Sequence, residues 1–241
     1  MTAKQKTLIG GVSILGVAGI ICKVVGVLYR IPLAHLIGPE GMGVYHKVYP
    51  AYNLLLTISS AGLPVAISRM VAHYVTVEDP NNARRIFKLA MRMLFVLGLL
   101  TTLLMLAFSG QLAAWQGTAE TKAGYMAIAP SLFFVCTMSA FRGFLQGQRN
   151  MVPTAVSQLI EQIGRVFIAL PLAWLGMQKG GVALGAAGAL LGSTTAEGAA
   201  LLFMLFRHKQ ADRALNAIPS VSSPVVTSEP TVPAQGSGMA A

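Results

Sequence analysis

The chain has 241 residues, 54% of them hydrophobic and 11% charged, with a mean hydropathy of +0.64 and a net charge of +10. A soluble domain carries about 25% charge, so this composition excludes an ordinary water-soluble fold and points to a membrane protein. With no soluble domain to display them, the basic residues read as membrane-topology signals rather than as a nucleic-acid surface.

Two lysines precede the apolar run "LIGGVSILGVAGIICK". No small-residue cleavage site follows, so the run reads as an uncleaved first helix rather than a signal peptide. A bilayer crossing needs about 20 apolar residues. Such stretches lie at 8–30, 44–73, 88–110, 123–146, 153–175 and 182–206. They are separated by the turn-rich "IGPEGMG" (37–43) and "EDPNNARR" (78–85) and the polar "QGQRN" (146–150). The expected fold is all-α: a six-helix integral membrane bundle over residues 1–210. Residues 211–241, rich in proline and serine and lacking aromatics, are expected to be disordered. With the N-terminus inside, ten lysines and arginines lie on the inner side and three (Lys47, Lys122, Lys179) on the outer. That bias places both termini in the cytoplasm and Trp115, Trp174 and Tyr45 at the outer interface.

In the first span Gly16, Gly19, Lys23, Gly26 and Arg30 share one helix face. Lys23 lies about 22 Å into the helix at 1.5 Å per residue. A charge at that depth needs water or a partner. Either Lys23 faces a polar cavity, or it pairs with a buried acid; Arg30 either joins it or snorkels outward. The second span aligns Tyr49, Asn53, Thr57 and Ser60. Gly62 and Pro64 then interrupt the apolar pattern, as a static kink or as a hinge. Arg69 and Arg142 sit near the inner ends of their spans, the ordinary place for interfacial anchors. The third span has no deep charge and is expected to face lipid.

The fifth span places Thr154, Ser157, Gln158, Glu161 and Arg165 on one stripe. Glu161 and Arg165 stand four apart, acid first, a spacing that lets them pair. Either the pair serves insertion alone, or the stripe walls a wet cavity; the neighbouring amides favour the cavity. Gly181, Gly185, Gly188 and Gly192 form a close-packing face in the sixth span. Glu197, off that face, has Lys23 or Arg165 as candidate partners. Cys22 and Cys136 lie far apart and read as packing residues. The four histidines have no metal spacing, and no nucleophile triad or phosphate loop is present. An enzyme would have only Glu161, Glu197 and arginines to work with, so no enzymatic activity and no cofactor are expected.

Three segments, "KVVGVLYRIPLAHLIGPEGMGVY" (23–45), "GLPVAISRMVA" (62–72) and "RGFLQGQRNMVPTAVSQLIEQIGRV" (142–166), closely resemble the polysaccharide-biosynthesis exporters of the stage V sporulation protein B type. These belong to the MOP superfamily, with the MurJ-type lipid II flippases and the MATE exporters. The resemblance covers about residues 5–210. It implies one lobe of a two-lobed, V-shaped flippase that exports a lipid-linked diphosphate saccharide by alternating access. It also implies a second six-helix lobe, or a second copy, as partner, so that this chain reads as half of a transporter. The resemblance puts Lys23 where a diphosphate-binding base of the first span stands, with Arg30 offset by one residue from a second. Leu54 and Leu55 stand where the family has a base in the second span, and Arg69 belongs to the "GLPVAISR" motif. The expected substrate-binding set is Lys23, Arg30, Asn53, Arg69, Gln158, Glu161, Arg165 and Glu197, with Gly62 and Pro64 as hinge. A MATE-type exporter using Glu161 or Glu197 as its ion site, and an inactive structural bundle, are the alternatives.

Overall fold

A computed structural model describes residues 3–60 and 62–216, with side chains from 13 to 210. The proposed disordered tail beyond 216 lies outside the described residues. Among the described residues the elements are α1 (Ala3–Ser60), α2 (Leu63–Thr76), α3 (Pro80–Trp115), α4 (Thr121–Gly147), α5 (Val152–Gly164), a π turn (Arg165–Ala169) and α6 (Leu170–Asn216), with no strand. Four stretches of helix are long and apolar enough to cross a membrane.

Two of these helices contain breaks. Within α1, Gly38 adopts φ 67° and ψ −179°, a left-handed excursion open to glycine and strained for most other residues. The "IGPEGMG" turn is therefore a single non-helical residue, and helix resumes on either side of it. In α6, Gly180 and Gly181 leave the helical region, Gly181 at φ 66°. The chain reverses there. A Cβ on Gly188 would strike the Leu172 carbonyl, and one on Gly192 would strike the Ala169 backbone. Residues 16 and 23 positions apart meet in this way only if the two halves of α6 run antiparallel. Three glycines of the predicted close-packing face thus touch a neighbour, Gly185 against Met177. Gly181 is the turn itself.

At Gly62 the helix is interrupted rather than bent. Gly62 has φ 76° and stands as the N-cap of α2, with Pro64 in the first turn, where a proline's missing N–H costs no helical bond. Helix α3 begins at Pro80 behind Asp79, whose side chain accepts from the Asn82 backbone N–H. It presents Leu99, Leu100, Leu103 and Phe108 outward and buries Leu94, Thr101, Thr102 and Met105 against the bundle. Helix α6 runs to Asn216, six residues beyond the expected end of the helical region.

Helix α4 is the central element, packed against α2, α3 and α6. Small residues let it approach closely. A Cβ on Gly143 would fall 2.8 Å from the Pro64 carbonyl oxygen, and one on Gly98 2.9 Å from Cys136 Cβ. Two apolar cores result. One gathers Leu33, Ile37, Val48, Tyr125, Leu132 and Leu190; the other gathers Val71, Phe87, Phe141, Phe144 and Met204. Hydroxyls lock the helices together: Thr102 Oγ1 donates to the Ala129 carbonyl (3.1 Å) and Thr194 Oγ1 to the Ala127 carbonyl (2.8 Å). Both oxygens gain a second bond without a water having to enter.

Candidate functional site: a basic cavity beside two ion pairs

The break at Gly38 folds the second half of α1 back beside the first. Between them and the α5–π turn junction lies a cavity of about 470 Å³, lined by Cys22, Lys23, Gly26, Val27, Tyr29, Arg30, Tyr45, Tyr49, Gln162 and Arg165. Gly26 keeps its floor low: a Cβ there would stand 3.6 Å from Gln162 Oε1. Tyr45 and Tyr49 share a 2.8 Å hydrogen bond between their hydroxyls. The Tyr29 hydroxyl is buried and has no partner among the described residues. Lys23 and Arg30 are exposed on the cavity wall. Neither forms an ion pair or hydrogen bond with any described residue, so Lys23 is not held by a buried acid.

The acids are held elsewhere. Glu161 does not pair with Arg165. It accepts from Arg142, which also donates from Nε (3.1 Å) and a terminal nitrogen (3.0 Å) to Ser157 Oγ. Arg142 is therefore a half-buried structural partner and not an interfacial anchor. Helix geometry allowed the Glu161–Arg165 pair, but the packing of the bundle brought a closer guanidinium, with Ser157 to orient it. Arg165 instead faces Glu197 at 3.8 Å. That is an ion pair at the long end of the range, and it leaves Arg165 Nε and Glu197 Oε2 without hydrogen-bond partners among the described residues. Arg165 opens the π turn, a local widening of the helix frequent at functional sites.

Of the residues expected from sequence, the cavity collects Lys23, Arg30 and Arg165. Glu161 and Glu197 sit behind it, each against an arginine. Gln158 is half-buried, and its Oε1 has no hydrogen-bond partner among the described residues. Asn53 and Arg69 are exposed and outside the cavity lining. Tyr45, expected at the outer interface, is 3% exposed and lines the cavity, while Trp115 and Trp174 are exposed on the protein surface. Cys136 is a buried packing residue 3.2 Å from Ser59 Oγ, but Cys22 lines the cavity. Sequence reasoning missed Tyr29, Tyr45 and Gln162 as site residues. The signal was present: Gln162 adjoins Glu161, and Tyr29 adjoins Arg30.

Residues 8–226 match the family model described as polysaccharide biosynthesis protein. The chain belongs to that family. Stage V sporulation protein B of Bacillus subtilis (strain 168) is 35% identical over 211 residues, covering 86% of this chain and 40% of that protein. The lipid II flippase MurJ of the same organism is 29% identical over 177 residues, covering 70% of this chain and 32% of that one. The chain thus spans about two fifths or less of the length of these relatives. Among solved structures, a MATE protein in complex with MaD3S superposes with a TM-score of 0.68 at 18% identity, over 84% of this chain and 46% of that chain. A MOP superfamily transporter from Pyrococcus furiosus, described as having a binding pocket of reverse polarity, gives 0.67 at 17% identity, over 81% and 44%. The fold is MATE/MOP-like, and the chain is a multi-pass membrane protein of the MOP superfamily, related to transporters and flippases.

Proposed function

We propose that the chain forms one lobe of a flippase that moves a lipid-linked diphosphate saccharide, such as a peptidoglycan precursor, across the cell membrane by alternating access. The carrying observation is the cavity itself. It presents three basic side chains and three tyrosines, while the two nearby acids face arginines behind it. A diphosphate concentrates negative charge, and charge-assisted donors in a low-dielectric cavity suit it. Lys23 and Arg30, free of protein acids, receive the diphosphate; Arg165 and Gln162 complete its surroundings. Asn53, Arg69 and Gln158 lie along the route of the head group rather than at this station. No bond is made or broken, so the role is transport and not catalysis.

The breaks at Gly38 and Gly180–Gly181 divide the long helices so that the chain crosses the membrane six times, both termini cytoplasmic. The cavity's exposed bases then require a facing surface, since a charge against lipid is costly. A second six-helix lobe, or a second copy of this chain, supplies it, and Gly62 with Pro64 acts as the hinge between states. The test is export by the intact transporter at matched expression. Lys23→Ala abolishes export while Lys122→Ala, outside the cavity, leaves it unchanged; equal export by both variants removes the role of Lys23.

A second reading, an ion-coupled small-molecule exporter, draws support from Glu197 Oε2, buried without a hydrogen-bond partner among the described residues. Loss of efflux in Glu197→Gln together with indifference to Lys23→Ala would favour it.

A further inference from the structure

Away from the cavity, the first turns of α3 carry a second basic surface. Asn81, Arg84, Arg85, Lys88, Leu89 and Arg92 line a depression of about 600 Å³. Arg85, Lys88, Leu89 and Arg92 fall at spacings of 3, 4 and 7 from the first, hence on one helix face, and all four are exposed. Arg85, Lys88 and Arg92 form no ion pair with any acid among the described residues. Asp79 is turned back on the helix start, accepting from the Asn82 backbone N–H at 3.0 Å and from its side-chain Nδ2 at 2.7 Å.

This surface runs directly into an apolar groove between α2 and α3, of about 240 Å³, whose walls include Leu63, Ala66, Met70, Ala90 and Met93. Leu89 belongs to both. The two halves therefore form one feature: several positive charges at the mouth, then an apolar channel between the helices. Met70 and Met93, 47% and 54% exposed, flank that channel with flexible side chains able to follow a chain of variable shape. A basic depression alone would suit any anion, and an apolar groove alone any acyl chain. Their continuity through Leu89 selects a molecule that is anionic at one end and aliphatic at the other.

We propose that the α2–α3 face is a binding site for an anionic membrane phospholipid of the phosphatidylglycerol class. Its phosphate is held by Arg85, Lys88 and Arg92, and one acyl chain lies in the groove beside Ala90. The site is separate from the transport cavity and does not depend on what that cavity carries. It ties the α2–α3 end of the bundle to one leaflet.

The experiment is lipid retention, measured by native mass spectrometry on the full chain released from bilayers of equal phosphatidylglycerol and phosphatidylcholine. The wild type retains phosphatidylglycerol in preference. Each surface charge contributes about fivefold, so Arg85→Gln/Lys88→Gln lowers retention about 25-fold and Arg92→Gln about fivefold. Lys122→Gln, a basic residue outside this face, has no effect. Ala90→Phe, which fills the groove and leaves every charge in place, also lowers retention, and soluble glycerol phosphate does not displace the lipid. Retention unchanged in the double variant overturns the proposal. So does displacement by glycerol phosphate, which would make the site one for free phosphate. Should the double variant fail to fold by circular dichroism, Arg92→Gln and Ala90→Phe decide by the same criteria.

Discussion

Replacing Arg142 by leucine probes the polar centre of the bundle most sharply. Its guanidinium makes two hydrogen bonds to Ser157 and an ion pair with Glu161, and the two charged side chains are only 16% and 14% exposed. Removing one partner of a buried pair costs about 3–5 kcal/mol, because the other charge is left unpaired. The slight exposure places Arg142→Leu at the lower end, about 3 kcal/mol, or a fall in melting temperature of about 6–12 °C for a chain of this size. Arg142→Leu/Glu161→Leu removes both charges, so it recovers about 2 kcal/mol relative to the sum of the single changes. The assay is thermal unfolding in mild detergent, followed by helical circular dichroism, as a double-mutant cycle. The parallel cycle on Glu161 and Arg165, which form no ion pair, is expected to show weaker coupling than that of Glu161 with Arg142. Strong coupling of Glu161 to Arg165 and none to Arg142 would refute the pairing and, with it, the packing of α5 on α4.

Three further outcomes are expected. Gly192→Leu drives a side chain into the Ala169 backbone and costs about 3 kcal/mol or more of stability, whereas Gly110→Ala, with nothing within 4 Å, is neutral or stabilising by up to about 1 kcal/mol; melting curves of the two variants check this. Gly38→Val forces a β-branched residue to φ 67°, so monodisperse protein is recovered in lower yield than for Gly19→Val, which meets open space. The Asn82 donors hold the Asp79 carboxyl below the usual carboxylate range. Its stabilising effect is thus present above the unfolded value and lost as the pH falls through the folded one. Asp79→Ala therefore lowers the melting temperature at neutral pH, and the difference from wild type closes below about pH 4.

Much of the bundle was legible from spacing alone. The glycine face of 185, 188 and 192 is a period-3.6 pattern, and such a pattern reports packing whatever the partner. That Lys23 lines a cavity was legible because charge at membrane depth is rare enough to demand a reason, and Arg30 lies on the same helix face. What escaped were relations between segments. Arg142 looked like an anchor because its distance from a span end says nothing about which helix lies alongside. Glu161 was assigned the base on its own helix because sequence exposes only local neighbours. Tyr45 was not read as a cavity residue because a single left-handed glycine, Gly38, decides whether the second half of α1 folds back to set Tyr45 beside Tyr29 and Arg30. Breaks at Gly38 and Gly180–Gly181 could be suspected from composition; where each chain reversal sends its side chains could not.

The most direct test of the cavity's role is equilibrium binding of a polyprenyl diphosphate to the full chain in lipid nanodiscs, comparing wild type with Lys23→Ala, Arg30→Ala and Lys122→Ala. Loss of one charge-assisted contact of about 1.5–3 kcal/mol lowers affinity about tenfold or more. The expected result is such a loss for Lys23→Ala and Arg30→Ala, no change for Lys122→Ala, and weaker binding of the corresponding monophosphate. Equal affinity across all four proteins would contradict a diphosphate site between the two halves of α1.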